Sequence, residues 1–101
     1  MYARLVTTYV KKGKMDEALK LFEDSVIPEG KAQEGYLGIY LLTNKQTGKI
    51  VSITLWDTKE DARANEESGY FQRQVEKFND VVTETPVKEG YDVSIMLSKA
   101  R

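Results

Sequence analysis

The spacing of apolar positions changes repeatedly along the chain. Residues 2–10 (YARLVTTYV) are rich in β-branched and aromatic side chains and predict a first strand. A basic turn over 11–14 contains Gly13 and leads into a segment where Met15, Ala18, Leu19, Phe22 and Val26 recur at helical spacing. Asp16 and Glu17 fall in the first turn of that helix, where the dipole favours negative charge. Pro28 and Gly30 are expected to end it, leaving 27–35 as a loop. Two strands, 36–43 and Lys49–Trp56, flank a turn over 44–48 in which Gly48 suits a positive φ. Thr58 is a natural N-cap for a second helix, with Asp61 three residues on resembling a capping-box partner. That helix is expected to run through Asp61 to about Val82, kinked or split at Gly69, with Phe71, Val75, Phe78 and Val82 as its apolar stripe. A loop over 83–90 with Pro86 precedes a last strand over 91–98 (YDVSIMLS).

The order strand–helix–strand–strand–helix–strand predicts an α+β, ferredoxin-like βαββαβ fold: a four-stranded antiparallel sheet with two helices on one face. At 101 residues, the whole of 1–101 is expected to form a single domain. Alternation places Val51, Ile53 and Leu55 on one side of the third strand and Ile50, Ser52, Thr54 and Trp56 on the other. In the second strand, Leu37, Ile39 and Leu41 are expected to oppose Tyr36, Gly38, Tyr40 and Leu42. Both faces then carry apolar side chains, yet two helices cover only one. A second copy packed sheet to sheet is the simplest cover, so a homodimer through the sheet faces, a dimeric α+β barrel, is expected.

The formal net charge is -1, from 15 basic and 16 acidic residues, which argues against nucleic-acid or membrane-surface partners. The absence of cysteine and histidine excludes thiolate chemistry and serine–histidine triads and removes the commonest metal ligand, so no metal or other cofactor is expected. The N-terminus carries no signal-peptide pattern and no apolar run is long enough to span a bilayer, which gives a cytoplasmic expectation.

Gly35, Tyr36 and Gly38, then Thr47, Gly48 and Lys49, then SITLW at 52–56, then Asp57, Glu60, Asp61 and Ala62 together resemble the antibiotic-biosynthesis-monooxygenase-type family of dimeric α+β barrels. The resemblance implies either a cofactor-independent monooxygenase acting on a small aromatic or quinol-type substrate, or a non-catalytic small-molecule-binding or stress-related dimer. It implies that Trp56 matches a pocket tryptophan shared by the quinone-oxidising and haem-degrading branches. The haem branch also uses a strand-one asparagine and a helix-two histidine. Val6 stands at the first position and no histidine exists, so haem degradation is disfavoured. The quinone branch adds an asparagine, a tyrosine and an arginine around the substrate; Asn65, Tyr70 and Arg73 lie on the early and middle part of helix two, without a firm match to that motif.

Trp56 is the leading candidate for contact with a flat apolar aromatic ligand, offering a stacking face and an N–H donor. Thr54 and Ser52 on its side of the strand are small and leave space. Phe22, Tyr70 and Phe71 are candidate walls, and Thr8 a candidate hydrogen-bond donor. The plainer alternative makes Trp56, Phe22 and Phe71 core residues and Thr8 a β-propensity choice. Catalytic residues are not identified; water, Tyr70 or Tyr40 would accept or relay the substrate proton.

Overall fold

The computed structural model describes residues 1–99. Strands β1 (Tyr2–Tyr9), β2 (Tyr36–Asn44), β3 (Lys49–Trp56) and β4 (Val87–Asp92) form one antiparallel sheet in the order β2-β3-β1-β4. Helical segments α1 (Met15–Leu21), α2 (Ile27–Gly30), α3 (Lys59–Glu67) and α4 (Tyr70–Glu76) complete the α+β, ferredoxin-like fold. Val10, Met15, Ala18, Ile50, Phe78 and Val81 make the solid core at one end, where the expected stripes of both helical regions meet the sheet.

Pro28 does not end the first helix. A π-helical stretch, Phe22–Val26, joins α1 to α2, and the Ile27 N–H donates to Phe22 O. The widened turn immediately precedes Pro28, whose ring would otherwise press on the carbonyl four residues back. The helical path therefore continues to Gly30, through residues expected to be loop. The second helical region divides at Gly69, whose φ is 87°, as glycine permits. Regular helix stops at Glu76 rather than near Val82. The chain winds on in tight turns, with the Phe78 N–H donating to Val75 O, and Val10 bridges to Val82.

The last strand is displaced from its expected place. It begins at Val87 and ends at Asp92, which pairs with Tyr2, and the Val93 N–H still donates to Met1 O. Pairing needs a neighbour, and β1 offers no further one here. Residues 93–98 consequently lie outside the sheet with Ile95, Met96 and Leu97 exposed.

A bulge corrects the expected faces of β2. Tyr36 pairs with Trp56, but Gly38 pairs with Leu55 and Ile39 with Thr54, so Leu37 is the extra residue. Tyr36 thereby shares the helix-covered face with Ile39 and Leu41, while Tyr40 and Leu42 stay on the open face beside Ile53 and Val51.

Candidate functional site

Along the helix-covered face of β3, Ile50 belongs to the solid core, whereas Ser52 and Thr54 are too short to reach the helices. Across them on β1 stand Val6 and Arg4. The result is a cavity of about 90 Å³ between sheet and helices. The six candidates Thr8, Phe22, Thr54, Trp56, Tyr70 and Phe71 all line it, together with Ser52 and Tyr36. The π turn supplies Phe22 and Val26, and the break at Gly69 turns Tyr70 and Phe71 inward.

The walls are mostly apolar, but several buried polar atoms on them have no hydrogen-bond partner among the described residues. These are Thr8 Oγ1, Trp56 Nε1, Tyr70 OH, Gln74 Oε1 and Arg4 Nε. Buried polar groups are ordinarily paired, and a polar-edged occupant of this space is one way in which these could be. Trp56 is 1% exposed; Tyr36 meets it edge-on at 6.1 Å and Arg4 lies over its ring at 5.0 Å. Phe22 instead packs on Phe78 at 4.8 Å.

Burial pushes the Tyr36 hydroxyl above the usual phenol range. Burial also raises Tyr70, with Glu29 adding and Arg4 opposing. Desolvation lowers the Arg4 guanidinium from its ordinary value, against the pull of Glu66. Tyr70 is thus held neutral, a hydrogen-bond donor rather than a base.

Other expectations are corrected. Tyr40 is 63% exposed on the open face and cannot relay a proton from the cavity. Arg73 is exposed, and Asn65 is buried but does not line the cavity, its side-chain amide donating to Gln33 Oε1 at 3.0 Å. Sequence reasoning missed Arg4 and Gln74. The signal for Arg4 was its spacing: it shares a strand face with Val6 and Thr8, and a charge in an apolar strand calls for a reason. Gln74 lies four residues from Tyr70 on one helix face.

The antibiotic biosynthesis monooxygenase family profile matches residues 1–77. Two uncharacterized Mycobacterium tuberculosis proteins are 27% identical over 100 residues; the match covers 95% of this chain but 42% of each relative. The chain thus spans less than half the length of those relatives. A putative antibiotic biosynthesis monooxygenase from Deinococcus radiodurans superposes with TM-score 0.79 at 12% identity, covering 100% of both chains. The Streptomyces coelicolor monooxygenase from the gene ActVA-Orf6, in complex with nanaomycin D, superposes with TM-score 0.75 at 12% identity, covering 98% of this chain and 92% of that one. These structures share the fold, and the profile match over most of the chain shows that the protein belongs to the antibiotic biosynthesis monooxygenase family.

Proposed function

We propose that the cavity binds a small, flat, electron-rich aromatic of quinol type and promotes its oxidation by dioxygen without a resident metal or flavin. The observation that carries this reading is the convergence of unpaired buried polar atoms from Thr8, Trp56, Tyr70 and Gln74 on one otherwise apolar space. Family membership and a structural relative that is a monooxygenase support the same reading. The substrate would lose a proton to water and become an electron-rich anion. Tyr70 OH and Trp56 Nε1, both without a partner among the described residues, would donate to its oxygen. For an anthrone-type substrate, a CH₂ group becomes a carbonyl; one atom of dioxygen enters the product and the other leaves as water. Apolar walls such as Phe22, Phe71 and Phe78 hold the ring and exclude bulk water.

The test is oxygen uptake with a panel of anthrones and hydroquinones, with product analysis. Wild type is expected to consume oxygen in proportion to product. Trp56→Phe keeps the ring and loses one hydrogen bond worth about 1.5 kcal/mol, so kcat/KM should fall roughly tenfold. A ligand that raises the melting temperature but is never consumed would instead establish the binding-only reading.

We further propose that the protein acts as a homodimer through the open sheet face. Tyr40, Leu42, Val87 and Tyr91 are each about half exposed or more there, and Ile95, Met96 and Leu97 add apolar surface in the following segment.

A further inference from the structure

Among the described residues, Arg4 alone brings a formal charge to the cavity wall. Its side chain is 6% exposed. The guanidinium lies between Trp56 and Phe71, 5.0 Å and 4.6 Å from the ring centroids. Ring faces attract a cation without neutralising it. Glu66 is its acidic neighbour, but the Arg4 Nη1–H to Glu66 Oε2 contact is 3.4 Å, long for a charge-assisted bond. The other oxygen, Oε1, is held by Lys88. One carboxylate thus answers two cations and leaves one positive charge over. Arg4 Nε–H has no partner among the described residues.

We propose that Arg4 is an anion-recognition residue, selecting flat aromatic ligands that carry one ionised oxygen acid, a carboxylate or a phenolate, over neutral ligands of the same shape. The inference rests on the reading of the cavity as a ligand site. An anion entering there balances the surplus charge in a poorly solvated space, where the attraction is stronger than in water. A guanidinium fork fits an oxygen acid geometrically, and the aromatic sandwich already holds it still, so little ordering cost remains on binding. Substrates of the proposed oxidation would then be aromatic acids or acidic phenols rather than neutral hydrocarbon-like quinols.

Calorimetric titration of wild type with 1-hydroxy-2-naphthoate and its neutral amide tests this, because the pair differs mainly in charge. The acid is expected to bind at least tenfold tighter. Arg4→Met should bring the two within about twofold. Glu66→Gln removes the counter-charge, leaves Arg4 in place and should widen the preference several-fold, which keeps the idea testable if Arg4→Met does not fold. Equal binding of acid and amide by wild type overturns the role of Arg4 and leaves the cavity reading standing. So does a preference that survives Arg4→Met, or one that Glu66→Gln fails to widen. Binding of neither compound overturns the cavity reading itself, and this inference with it.

Discussion

The two faces of the sheet put the same strand to opposite uses. Under the helices, β3 presents Ile50, Ser52, Thr54 and Trp56, all buried. Its centre is short and polar, so the covered face closes over a cavity and not over a solid core. On the open face, β3 presents Val51, Ile53 and Leu55, which are only partly buried and stand beside exposed Tyr40 and Leu42 of β2, with Val87 of β4 exposed further across the sheet. There the centre is aliphatic and nothing within the described chain covers it. Burial of polar groups without partners and exposure of apolar groups to water are both unfavourable. On the proposed reading, a small polar-edged ligand would relieve the first and another apolar sheet the second. One alternating strand would thus separate the proposed chemistry from the proposed assembly.

The sharpest way to break this comparison is on the open face. If a second copy covers it, wild type should sediment as two chains at micromolar concentration. Ile53→Asp would then leave an uncompensated carboxylate in the interface, costing about 5 kcal/mol, and the protein should run as a monomer. A monomeric wild type would mean that the open face is merely tolerated in water. The next effect belongs to the covered face. Trp56→Ala should destabilise by about 3 kcal/mol, at the low end for such truncations, because the neighbouring space already exists and little packing density is lost with it. Chemical denaturation measures it. A loss well above that figure would show Trp56 acting as a solid core residue.

The fold was largely legible because period-2 and period-3.6 patterns alternate cleanly here, as in Lys49–Trp56 and in the Met15–Phe22 stripe. The failures have specific causes. Pro28 misled because a π turn, which has no sequence signature in residue type alone, absorbs its ring. Tyr36 fell on the wrong face because a bulge at Leu37 changes the count by one. The last strand was placed too late because strand propensity in YDVSIMLS says nothing about whether a neighbour is present. The cavity was half legible. Trp56 with short Ser52 and Thr54 announced space, but Arg4 reaches Trp56 through strand pairing across more than fifty positions, which no local pattern encodes.

A smaller effect tests how the covered face is framed. Thr58 Oγ1 accepts from the Asp61 N–H at 3.0 Å, capping α3 just after Trp56. Thr58→Ala should cost about 1 kcal/mol in equilibrium unfolding. The same substitution should leave sedimentation unchanged, since the open face takes no part in that cap. A change in association state would show that the two faces are coupled through the β3–α3 junction.

The smallest effect is a pH dependence that belongs to the covered face. Burial raises the hydroxyls of Tyr36 and Tyr70 above the ordinary phenol value. In the unfolded chain both ionise near pH 10. The unfolded state therefore sheds its protons first as pH rises. The stability these tyrosines contribute is complete below about pH 10 and is lost as pH climbs through their folded values. Denaturant titrations between about pH 8 and 11 should show this alkaline decline, and Tyr70→Phe should flatten it. Saturation with a cavity ligand that accepts from Tyr70 OH should deepen the decline, because such a ligand requires the protonated phenol, and an anionic ligand should deepen it more than a neutral one. A decline that Tyr70→Phe leaves untouched would mean that Tyr36, and not Tyr70, carries it.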